Sequence, residues 1–195
     1  MTIKKFMWLD ILILMVLAII MDSVAYIITD WIRSSSLELP IVESVFIAPS
    51  FTIIYLIYHR WKKFGLIPNV IIIILHFILY GKQIFISYEY PLMIIASYMV
   101  FSLTLLSYKW LKVTKIPDWL FHLMNFMVIY TLMFLVEYAI GVILGIQLSL
   151  LGITLRHTMN VILSSIIIIV MSVQKKLLID METHLIKQSK EEDYA

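Results

Sequence analysis

The chain contains no cysteine among its 195 residues. Disulfides, thiolate nucleophiles and cysteine-ligated metals are thereby excluded. Charge is scarce as well: Asp, Glu, Lys and Arg make up 14% of the residues, where a soluble domain carries about 25%. So little charge cannot clothe a water-facing surface of this size. With 62% hydrophobic residues and a mean hydropathy of +0.98, the natural solvent is a bilayer. Signatures of chemistry are missing too. There is no G-x-S-x-G, H-E-x-x-H or G-x-G-D, no phosphate loop, and the one Glu-Glu pair, Glu191 and Glu192, stands in the tail. No enzymatic activity, cofactor or metal is expected. The net charge of +2 is spread along the chain, which argues against a nucleic-acid surface.

What is present is a series of long apolar runs. A hydrocarbon core of about 30 Å takes roughly 20 helical residues. Six stretches meet or approach that length: 6–28, 41–58, 66–80, 91–108, 119–141 and 158–173. The third is short and either extends through "GKQIF" or sits deep in the bundle. The runs are continuously apolar without alternation, which favours helices over a barrel. The first, at 23 residues, is longer than a signal-peptide core and has no small-residue cleavage site after it, so it reads as a retained span. The expectation is an all-α, polytopic membrane protein: a six-transmembrane helix bundle over 1–173, followed by a cytoplasmic helix over 174–195.

Basic residues orient this bundle. Lys4, Lys5, Arg60, Lys62, Lys63, Lys109, Lys112, Lys115, Lys175, Lys176, Lys187 and Lys190 fall on one side; Arg33, Lys82 and Arg156 fall on the other. The asymmetry emerges only with six spans. It places both termini in the cytoplasm of a bacterial cell, with the chain multi-pass in the plasma membrane. Trp8, Trp31, Trp61, Trp110 and Trp119 all lie near span ends, where indole rings favour the interface. The link "VILGIQLSLLGITL" is too apolar for a free loop and is expected to lie on or dip into the outer surface. In the tail, Leu177, Leu178, Met181 and Leu185 share one helical face.

An Asp or Glu inside a span costs on the order of 2.5–3.5 kcal/mol, so the few present need partners. Asp22, Glu43, His76, Glu137, Arg156, His157 and Asn160 all fall in the outer half of the bundle or at its rim. Asp10, His122 and Asn125 fall in the inner half. The outer set has three readings. Arg156 and His157 are interfacial and reach for headgroups; or the set lines an outward-facing pocket for a small polar ligand, walled by Trp31, Tyr88 and Tyr90; or it forms a proton or metal relay. His76 and His157 lack metal-ligand spacing.

Six short spans, both ends inside and polar groups gathered outside resemble the substrate-binding S components of energy-coupling-factor (ECF) vitamin transporters. Locally, residues 43–81 look like that family's second and third spans, through Pro49, Arg60, Gly65 and Gly81. Members carry small residues at every fourth position of span one, on the face that meets a coupling subunit; here Ala18 and Ala25 fit, and Asp22 departs from the pattern. The glycine-rich third span of many members is also absent. The resemblance implies capture of a vitamin-like molecule from outside, with Glu43 and Glu137 accepting and Arg156, His157 and Asn160 donating. A coupling membrane subunit and two ATPases would drive release inward. A similar six-span outline belongs to the rod-shape protein MreD, which implies a scaffold without ligand. A small carrier using Asp22 and Glu137 as proton sites is the third possibility.

Overall fold

A computed structural model describes residues 2–34, 46–111, 116–174 and 177–192, and these residues are helical with no strand among them. Five stretches are long and apolar enough to cross a membrane: Ile3–Ile32, Ser50–Leu79, Glu89–Ser107, Asp118–Ile143 and Leu150–Val173. The chain is accordingly a helical membrane bundle.

Helix α1, Ile3–Ser34, shows why these runs lie in lipid. Its buried stripe is Ile11, Ala18, Asp22, Ala25 and Thr29, while Leu12, Val16, Ile20 and Ile27 stay open on the opposite side. An apolar face open along a whole helix, on a chain with so little charge, is what hydrocarbon covers. The small residues Ala18 and Ala25 therefore face inward, onto the bundle.

The stretch Ser50–Leu79 is a hairpin and not one rod. Helix α2, Ser50–Trp61, and helix α3, Leu66–Leu79, are joined by a 3₁₀ turn at Lys62–Gly65. The Asp22 carboxylate accepts the Ser50 N–H at 2.9 Å and meets His76 Nε2 at 2.7 Å. In a straight helix those two positions would stand about 39 Å apart. The reversal uses Lys62 in a positive-φ conformation (50°) and Gly65, whose missing side chain admits the Tyr58 ring.

Helix α2 is the centre of the molecule. It has 12 residues, and every one is buried. Expected span 41–58 therefore contributes only its second half as helix; positions 41–45 lie outside the described residues. Pro49 sets the start, and Phe46, Ile47 and Ala48 run in without helical structure. A helix beginning inside apolar surroundings leaves open N–H groups that water cannot serve. Two other helices serve them: Asp22 takes the Ser50 N–H, and Asn160 Oδ1 takes the Ala48 N–H at 2.8 Å.

After α3 the chain continues through α4 (Gly81–Ile84), α5 (Glu89–Met99), α6 (Thr104–Leu111), α7 (Asp118–Ile143) and α8 (Leu150–Val173). A 3₁₀ turn at Val100–Leu103 carries α5 into α6. The apolar link between α7 and α8 is far shorter than its sequence suggests, because α7 runs to Ile143 and α8 begins at Leu150. Gly145, at φ 77°, ends the first, and the Ser149 hydroxyl caps the second through the Gly152 N–H at 2.8 Å. Arg156 and His157 thus lie two turns inside α8 and not at its mouth.

The tail also differs from a continuation of the last span. Helix α9, Met181–Glu192, begins anew after a turn, with Asp180 capping the Thr183 N–H at 3.1 Å. Leu178, Met181 and Leu185 pack against the core. Lys62 meets Asp180 at 3.1 Å, and Arg60 donates to the Leu177 carbonyl at 3.1 Å. Trp61 is likewise no interfacial anchor: it is 1% exposed and donates to Asp10 at 2.6 Å. Trp8, Trp31 and Trp119 are exposed, as a belt requires; the Trp110 side chain is outside the described residues.

Candidate binding site

The half of the bundle away from Lys62 and α9 holds a cavity of about 230 Å³. Its polar wall is His76, Glu137, Arg156 and His157; its aromatic wall is Phe46, Tyr80, Tyr90 and Tyr98, with Ile84, Met93 and Ile94 filling the gaps. Four of the residues singled out from sequence therefore share one cavity although they arrive on α3, α7 and α8.

The polar groups are organised as two similar chains. In the first, Asp22 on α1 meets His76 Nε2 at 2.7 Å, and His76 Nδ1 meets the Tyr98 hydroxyl at 2.7 Å. In the second, Glu137 on α7 meets His157 Nε2 at 3.0 Å, and His157 Nδ1 meets the Tyr130 hydroxyl at 2.8 Å. Each imidazole thus bridges a carboxylate and a tyrosine hydroxyl; with the acid ionised and the ring neutral, Nε2 donates to the acid and Nδ1 accepts the tyrosine O–H. Phe46 stands between the chains, with its ring 5.6 Å from that of His76 and 5.7 Å from that of His157. Arg156 closes the second chain by pairing with the other Glu137 oxygen. Its Nε is buried and has no hydrogen-bond partner among the described residues.

Asp22 and Asn160 do not line the cavity. They cap the start of α2, and Asp22 also orients His76. Capping and binding are different tasks, and the sequence could not separate them. Glu43 lies outside the described residues. Of the expected aromatic walls, Tyr90 lines the cavity, while Trp31 and Tyr88 are 70% and 74% exposed and stand away from it. Tyr98 and Tyr130 are additions to the expected set. Their signal was present: both lie well inside their spans, where a tyrosine hydroxyl needs a partner.

Below the cavity, Phe51 stacks on Phe101 at 5.1 Å and meets Tyr98 and Tyr130 edge-on. This aromatic floor separates the cavity from a second polar group at the basic end. There Asn125 donates to Tyr55 at 3.0 Å and to Ser107 at 2.9 Å, beside the buried rings of His59 and His122. Arg60 pairs with Asp10 at 2.8 Å at the same end. Comparison with protein-family models, curated proteins and solved structures finds no match for this chain.

Proposed function

We propose that the chain is the substrate-binding membrane subunit of an uptake system, crossing a bacterial plasma membrane six times with both termini in the cytoplasm. It captures a small, vitamin-like molecule in the cavity from the outer side. The observation that carries this reading is the cavity itself. A pocket that gathers four polar side chains and four aromatic rings is what a ligand site looks like, and a scaffold has no use for it. The α2–α3 hairpin supports counting a sixth crossing, and the basic residues at the end opposite the cavity, Lys62 and Lys63 among them, support this direction. A coupling membrane subunit would meet a face other than the Ala18–Ala25 stripe, and two ATPases would drive the inward step.

A second reading is a small proton-coupled carrier, favoured by the two carboxylate–imidazole–tyrosine chains. Purification of the tagged protein from its native membrane, followed by identification of co-purifying proteins and small molecules, tests both. ABC-type ATPases with a bound small molecule are the expected result. A ligand without ATPases, with uptake by the purified protein in liposomes under a pH gradient, would favour the carrier. Cell-wall or cytoskeletal proteins and no ligand would replace both with a scaffold.

A further inference from the structure

We infer that the basic end of the bundle carries a site for the headgroup of an acidic phospholipid, built by Lys4, Lys5 and Trp8 of α1 with Lys63 and Phe64 of the α2–α3 turn. The site is independent of what the cavity holds. Two elements far apart in sequence are locked together here by an aromatic pair: the Trp8 and Phe64 rings meet edge-on with centroids 5.8 Å apart. Lys63 Nζ stands 5.6 Å from the centroid of the same Phe64 ring, within the range of a cation–π contact. Lys4 and Lys5 precede Trp8 by one helical turn, so all three share one face of α1. The fold thus brings basic residues of both elements to one rim, around one aromatic pair.

The charge at this rim has no counter-charge. Asp10, the first acidic residue of α1, is spent on Arg60 and on the Trp61 N–H. Asp180 and Glu182 both face Lys62. Among the described residues no carboxylate pairs with Lys4, Lys5 or Lys63, and all three lysines are exposed. Like charges gathered in this way repel, and an anion placed among them relieves the repulsion.

The surroundings decide which anion. The helices that leave this cluster, α1 and α3, present open aliphatic side chains, Leu12 and Val16 on one and Ile67 and Ile74 on the other. Hydrocarbon covers those faces. Trp8, 46% exposed, marks the boundary between hydrocarbon and headgroups, where an indole ring is favoured. A phosphate tied to acyl chains serves the lysines and the aliphatic faces together, whereas a soluble phosphate serves the lysines alone.

The test uses the full chain in detergent micelles with equimolar phosphatidylglycerol and phosphatidylcholine of identical acyl chains, and native mass spectrometry counts the lipids that stay bound. Phosphatidylglycerol is expected to exceed phosphatidylcholine by about tenfold or more, and the excess should shrink as ammonium acetate is raised. A basic residue at an acidic membrane surface contributes a preference of about fivefold. Lys63→Gln should therefore cut the excess about fivefold, and the Lys4→Gln, Lys5→Gln double variant should abolish most of it. Lys190→Gln, exposed on α9 at the same end, should leave it unchanged. Equal binding of the two lipids overturns the inference. So does an equal loss in Lys63→Gln and Lys190→Gln, which would mark a diffuse surface charge. Glycerol phosphate that displaces phosphatidylglycerol at matching concentration would make this a soluble-anion site, and a hexaglutamate peptide that does so would make it a protein contact. Either displacement overturns the lipid assignment.

Discussion

The Asp22 carboxylate stands 2.7 Å from His76 Nε2, and its other oxygen holds the backbone N–H of Ser50. One side chain on α1 thereby fixes the far ends of both limbs of the α2–α3 hairpin. Asp22→Ala removes both bonds and leaves a buried amide and a buried imidazole open. Loss of a cap at about 1 kcal/mol and of a buried partner at about 1–3 kcal/mol predicts a destabilisation of about 2–4 kcal/mol. Asp22→Asn keeps the acceptor for Ser50 and should cost about half as much. Melting of the two variants in detergent, ranked against the parent, checks the order.

Glu137 is held between Arg156 and His157. Breaking a buried pair costs about 3–5 kcal/mol, and Arg156 is about one-third exposed, so Glu137→Gln should cost less, about 1–3 kcal/mol. The same variant should weaken ligand retention by about tenfold or more, because Arg156 loses the group that aims it. Retention measured beside melting separates the two effects. Unchanged retention would remove Glu137 from the site.

Two glycines make a paired prediction. A methyl group on Gly65 would lie 2.5 Å from the Tyr58 ring. That ring cannot step aside, since it is 2% exposed and its hydroxyl accepts from Asn69 at 3.2 Å. Gly65→Ala should therefore destabilise the hairpin by about 1–3 kcal/mol. A methyl group on Gly81 meets Phe85 at 3.6 Å, an ordinary contact, so Gly81→Ala should be neutral within about 0.5 kcal/mol. Melting temperatures that fail to separate the two would contradict this turn geometry.

At the basic end, Asp180 both caps α9 and meets Lys62. Lys62→Ala breaks a partly exposed pair worth about 0–1 kcal/mol. Asp180→Ala also removes a cap worth about 1 kcal/mol. Amide exchange across 181–190 should quicken in both variants, and more in the second. Equal exchange in the two would show that the cap contributes nothing.

Much of this molecule is legible from its residues, and the illegible part has physical causes. Long apolar runs announce helices, and the inward turn of Asp22, His76, Glu137 and His157 follows from the cost of leaving them in lipid. Hydropathy does not say where inside a run the helix begins. In 41–58 that information lies in Pro49, a residue suited to the first turn. Nor does proximity to a span end distinguish an interfacial indole from a buried one: Trp61, like Trp8, stands beside a lysine pair near a span end, yet it packs in the core against Phe6 with its N–H on Asp10. Partner choice among charges is equally hidden, since Asp22 is paired with His76 and Glu137 with Arg156 by helix packing alone.

The cap that Asn160 places on Ala48 spans 112 residues of sequence. At about 5–20 residues per second, a ribosome that has just released Ala48 takes roughly 6–22 s to deliver its partner. Through that interval the head of α2 sits in an unfinished bundle with an amide that lipid cannot satisfy. The half-made protein, and not the mature one, is thus the species most dependent on the insertion machinery. A chain stalled before α8 should be handed to proteases.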